Sequence, residues 1–155
     1  MRKEKQLRSI FSRLQKLPAE TEWVEFKRAQ NGFDLNKLGR YFSALSNEAN
    51  LKQQDCGWLV FGIDDKTHQV TGSNFRPNRV KLDSLKSEVG QQTTGGITFT
   101  QIYELNFEEG RVVMFEVPPA PKGFPVAWKG HFYGREGEEQ KPVSYTHLRA
   151  HETSE

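Results

Sequence analysis

One stretch, CGWLVFGIDDKTHQVTG at residues 56–72, constrains the fold more than any other. Trp58, Leu59, Val60, Phe61 and Ile63 form an apolar run that stops at Asp64 and Asp65. A short run of β-branched and aromatic residues bounded by turn signals reads as a strand covered on both faces, and it is the expected central strand. Asp64 and Asp65 open a turn, because Asp bonds readily to its own backbone. The chain then returns through Gln69, Val70 and Thr71 to Gly72. Loops at such strand ends often carry function.

Segments on either side alternate helix and strand. Leu7, Ile10, Phe11, Leu14 and Leu17 recur at three-to-four spacing until Pro18, which predicts an amphipathic first helix. Its other face carries Arg2, Lys3, Lys5, Arg8, Arg13 and Lys16 against Glu4 alone, a pattern that suits a solvated face or an anionic polymer. Residues 20–28, ETEWVEFKR, alternate as a strand with Val24 and Phe26 on one face and Trp23, Glu25 and Lys27 on the other. Asp34 is a fair N-cap for a helix over 35–48 that buries Leu35, Leu38, Phe42 and Leu45. A further helix over 80–92 turns Leu82, Leu85 and Val89 inward before Gly95 and Gly96 break it. Strands over 97–105 and 111–117 form a hairpin, closed by Pro118, Pro119 and Pro121. A small edge hairpin is expected over 125–129 and 131–134. The fold expected is α+β: a single domain with a mixed sheet of five to six strands packed with two to three helices.

Composition narrows the function classes. With 155 residues the chain is one domain long enough to bury a sizeable core, but 35% hydrophobic side chains and a mean hydropathy of −0.75 imply solvated termini and loops or an absent partner, and a compact core. Cys56 is the only cysteine, which excludes a disulfide framework and a cysteine zinc site and suits a reducing compartment. No apolar stretch of membrane-spanning length occurs, so a cytoplasmic protein without membrane association is expected. Neither a GxxxxGK(S/T) loop nor a GxGxxG after a strand is present, which argues against a P-loop ATPase. His68 and His131 belong to no nucleophile motif. Residues 144–155 resemble read-through of adapter or vector DNA and are set aside, together with the helically spaced His147 and His151. The expected organisation is a basic helix over 1–19, a domain over 20–143, and that tail.

Four segments in order, ETEWVEFK, FSALSNEAN, WLVFGIDDKTHQVTG and HFYGREGE, resemble the Schlafen AlbA-like domain family. The resemblance implies a mixed α and β domain assigned to DNA binding in bacterial transcriptional regulators and once grouped with divergent AAA ATPases. It also implies a C-terminal winged-helix region in full-length relatives, absent here if the frame is cut near Ser144. In the nuclease branch of the family, three acidic residues cleave structured RNA such as tRNA with a divalent metal. Matched by motif, these are Glu20, Glu25 and Asp65, with Asp64 as the alternative, and the cofactor implied is Mg²⁺ or Mn²⁺. Hard cations of this kind take oxygen ligands and activate a nucleophile beside a phosphodiester. The loop before the central strand departs from the family pattern: NEANLKQQDCG is longer than usual and holds one glycine, Gly57.

Nucleic-acid contact is the broader expectation, with DNA or RNA as partner. Phosphate binding requires Lys and Arg on one surface, and the candidates are Lys27, Arg28, Arg76, Arg79, Lys81, Lys129 and Arg135. Trp23, Phe75, Trp128 and Tyr133 are aromatics able to stack on unpaired bases. A metal-dependent endoribonuclease and a protein-interaction module stand as alternatives to a nucleic-acid binder.

Overall fold

The computed structural model describes residues 1–18, 21–136 and 139–142. Helices α1 (Glu4–Gln15), α2 (Leu35–Leu51) and α3 (Arg79–Gly90) accompany strands β1 (Val24–Lys27), β2 (Gly57–Phe61), β3 (Gln101–Phe107), β4 (Gly110–Val117), β5 (Ala127–Trp128), β6 (His131–Glu136) and β7 (Glu139–Pro142). The first four strands form a sheet in the order β1-β2-β4-β3, and the last three a smaller sheet in the order β5-β6-β7. This is an α+β fold. Among the described residues, no helix is long and apolar enough to cross a membrane.

The apolar run does occupy the sheet interior. All five residues of β2 are buried, between β1, which runs parallel to it, and β4, which runs antiparallel. Successive side chains point to opposite faces. Trp58 and Val60 meet Leu7, Ile10, Phe11 and Leu14 of α1 on one side, while Leu59 and Phe61 meet Leu38, Phe42 and Leu45 of α2 on the other. Two cores thus share one strand. The parallel pairing of β1 with β2 requires a crossover, and α2 supplies it.

Two departures from the expected elements are local. Residues 94–96 form a short 3-10 turn, and β3 begins only at Gln101. The terminal hairpin gains a third strand, because β6 continues to Glu136 and pairs with β7.

Helix α2 starts where Asp34 accepts a hydrogen bond from the Lys37 backbone at 2.8 Å. It is enclosed from the large sheet and from the small one, so its surface carries small and polar residues as well as leucines. Asn47 donates to the carbonyls of Val126 and Tyr133, at 3.0 and 2.9 Å, and accepts from Val126 N at 2.8 Å. Gly39 lies under the Trp128 ring, and a Cβ there would come within 2.1 Å of ring carbon Cε2. At an open helical position Gly→Ala stabilises by about 1 kcal/mol. Here overpacking, which costs about 1–3 kcal/mol, opposes that gain and is expected to exceed it. Gly39→Ala should therefore lower the urea midpoint of unfolding.

Candidate functional site

Strand β1 is an edge of the large sheet. A cleft of about 200 Å³ runs along this edge, bounded by the segment after α1 at Leu17 and Pro18, by β1, by the turn after β2 and by β6. Glu25, Lys27, Asp65, His68 and Arg135 all line it. The parallel register, with Lys27 opposite Phe61, brings the end of β1 beside the end of β2. Strand residues 34 positions apart along the chain are joined here by that one pairing.

The turn carrying Asp65 is set by Gly62. Its φ of +92° suits glycine, and a Cβ would meet the Arg111 carbonyl at 2.5 Å. Gly62 N donates to Lys27 O at 2.8 Å, and Gly62 O accepts from Thr71 N at 2.7 Å. The two aspartates then separate in role. Asp64 Oδ1 accepts from Lys66 N and Thr67 N, both at 2.8 Å, and Asp64 Oδ2 pairs with Arg28. These backbone bonds and the Arg28 guanidinium hold its carboxyl well below the usual range. Asp65 is exposed and faces the cleft. His68 packs its ring 4.3 Å from that of Phe26 and places Nδ1 3.0 Å from Gln15 O.

Glu25 is buried at 7% exposure, which makes its partners decisive. Arg135 Nη2 lies 2.8 Å from Glu25 Oε1, and Lys27 Nζ lies 3.6 Å from Oε2. The Arg135 side chain is only 1% exposed. Its Nη1 donates to the carbonyls of Thr21, Glu22 and Val24, at 3.1, 3.1 and 2.7 Å. Burial pushes the Glu25 carboxyl up, Arg135 and Lys27 pull it back, and Asp65 pushes it up again. Burial lowers the Lys27 ammonium, but a hydrogen bond that it donates to Tyr41 and the charge of Glu25 outweigh it and leave its pKa raised.

The remaining residues named from the sequence fall in several places. Glu20 lies outside the described residues and directly precedes Thr21, which lines the cleft. Arg76 makes a two-pronged pair with Glu88 at 2.5 and 2.9 Å. Arg79 binds Asp83 and Glu104, at 2.8 and 3.1 Å. Lys81 is exposed on the first turn of α3, and Lys129 lies 5.7 Å from the centre of the Trp128 ring. Phe75 and Trp128 are core residues, Tyr133 packs against that core, and Trp23 is partly exposed. Two exposed lysines stand next in the chain to residues that line the cleft: Lys16, from the basic face of the first helix, precedes Leu17, and Lys66 follows Asp65. Their adjacency to lining residues was the available signal, but only the folded cleft gives it meaning.

Of the acidic set implied by the nuclease branch, Glu25 and Asp65 line the cleft and Glu20 lies outside the described residues. Both oxygens of Glu25 face cations. Among the described residues no three His, Cys, Asp or Glu side chains converge as a metal site. The cleft offers a compensated carboxylate at Glu25, an exposed carboxylate at Asp65 and a partly exposed ammonium at Lys27.

A mixed sheet with helices on both faces and a polar cleft along its parallel edge defines an α+β domain. The profile described as Schlafen, AlbA_2 matches residues 20–144, and the chain belongs to that family. Among solved structures, the DIP2311 protein from Corynebacterium diphtheriae is similar at a TM-score of 0.65 and 17% identity, over 97% of this chain and 28% of that one. The chain thus spans under a third of that protein's length. The N-terminal domain of a RecG-related protein from Nitrosomonas europaea is similar at a TM-score of 0.55 and 20% identity, over 88% of this chain and 90% of that one. No curated protein matches the chain.

Proposed function

We propose that this chain is a nucleic-acid-binding domain that seats a sugar-phosphate backbone over the cleft along β1. The observation that carries this reading is the ion-paired carboxylate of Glu25, held between Arg135 and Lys27. A bare carboxylate there would repel a phosphate; a compensated one leaves the field beside the cleft to the exposed Lys16 and Lys66, while Lys27 and Arg28 are partly offset by Glu25 and Asp64. Arg76 and Arg79 neutralise acids of their own surface, and Arg135 acts from within by positioning β1. Membership of the Schlafen, AlbA_2 family and likeness to a domain of a DNA helicase RecG-related protein support the same reading.

The test is fluorescence anisotropy with tRNA, single-stranded DNA and duplex DNA over a salt series. Affinity is expected to fall steeply with salt and to be unchanged by EDTA. Lys16→Glu and Lys66→Glu are each expected to weaken binding and to flatten the log–log salt slope by about 1. Absence of binding to all three at low salt would remove the proposal and leave a protein-interaction role as the better reading.

A cleavage role is favoured by one observation, that Asp65 shares the cleft with Glu25. It requires Glu25 to be freed from its cations. Mn²⁺-dependent shortening of tRNA in the same samples, lost in Glu25→Gln and Asp65→Asn proteins that remain folded, would establish it.

A further inference from the structure

A second cavity, of about 330 Å³, adjoins the cleft across Leu17, which lines both. Trp23 and Trp58, with Ile10, Leu14 and Leu17, form its apolar walls, and Arg2, Arg13, Gln54 and Asp55 supply its polar ones. One wall is rigid: Trp58 is buried, the Arg2 guanidinium lies 5.6 Å from its ring centre, and Arg2 Nε is 3.2 Å from Glu116 Oε1. The other is accessible, since Trp23 is partly exposed and Arg13 and Asp55 are exposed. The volume lies within the range of roughly 300–1,000 Å³ usual for small-ligand pockets.

We infer that this cavity accepts one unstacked nucleobase of a single-stranded nucleic acid whose backbone crosses the neighbouring cleft. The inference rests on the nucleic-acid reading above. A planar base gains from stacking on an indole whatever its identity. The Gln54 amide and the Asp55 carboxylate offer both an acceptor and donors to the polar edge of a base. A wholly apolar occupant would leave the half-buried Gln54 amide without a partner on its cavity side, which is costly. A duplex keeps its bases paired and stacked, so the cavity favours a single strand or a loop.

The probes are a single-stranded thymidine dodecamer and an abasic dodecamer with the same backbone. The wild-type chain is expected to bind the base-bearing strand about tenfold or more tightly than the abasic one, and its tryptophan fluorescence should be quenched by the former alone. In Trp23→Leu the preference should vanish while abasic binding is kept. Equal binding of both strands by the wild type, without quenching, would overturn the base site and leave the backbone cleft standing. A preference that persists in folded Trp23→Leu would overturn it too. Should that variant fail to fold, the wild-type quenching decides. Failure of both strands to bind would overturn the cavity and the cleft together.

Discussion

Arg135→Met is expected to cost about 3–5 kcal/mol of folding stability, the range found when one partner of a buried ion pair is removed. The side chain is almost completely enclosed, and its loss strands the Glu25 carboxylate and the carbonyls of Thr21, Glu22 and Val24 together. Lys27 is too far, at 3.6 Å and on the other oxygen, to replace it. Arg135→Lys should recover only part of the loss, because a single ammonium lacks the planar fork that reaches three carbonyls and a carboxylate at once. Joining Arg135→Met to Glu25→Gln should restore more than either change predicts alone, since the double variant no longer buries an unpaired charge. Urea unfolding of the four proteins measures this. A single Arg135→Met protein within about 1 kcal/mol of the wild type would show that water reaches Glu25 and that the pair behaves as a surface one.

The contrast between β2 and Arg135 shows which parts of this molecule could be read in advance. Trp58 to Phe61 announce an interior strand because both faces are apolar, a property carried by consecutive residues. The stripe of Leu7, Ile10, Phe11 and Leu14, the Asp34 cap and the Leu82, Leu85 and Val89 face are local in the same sense. Placement of Glu25 near Asp65 could also be anticipated, since it needs only β1 and β2 to be neighbours. The Arg135–Glu25 pair, by contrast, joins residues brought together only after β6 docks on α2, through Asn47 and Ser43. Nothing near Arg135 in the chain distinguishes it from the exposed Arg28. The same holds for Arg76 and Arg79: their charge is legible, but the acids that consume it, Glu88 and Glu104, are chosen by the way α3 lies against β3. Asp64 and Asp65 are chemically identical neighbours, and only the backbone after Gly62 makes one a turn former and the other a cleft residue.

Stability is expected to fall by up to about 3 kcal/mol between pH 4.5 and pH 7, with Glu48 as the main cause. This residue of α2 is 5% exposed, and its Oε2 has no hydrogen-bond partner. Burial, aided by the charge of Glu22 and opposed by Lys52 and Arg135, pushes its pKa from the ordinary 4.5 to about 7. A raised carboxyl pKa means that the folded protein holds its proton more tightly than the unfolded chain does. Below about pH 4.5 both states are protonated and the full stability is present. Above that the unfolded chain ionises first, so stability declines until the folded carboxyl also loses its proton near pH 7, and then levels off. Glu25, whose pKa is also raised, adds to the decline. Asp64 and Glu88 act in the opposite sense, because their pKa values are lowered, but they do so on the acid side, through and below the ordinary carboxylate range. Both are near the surface, where solvent screens the effect. Glu48→Gln removes the titration and keeps the shape, so it should flatten the profile and raise stability at about pH 8 by most of the lost amount. Urea unfolding at a series of pH values distinguishes this from any alternative: a Glu48→Gln protein with the wild-type slope would place the titrating group elsewhere.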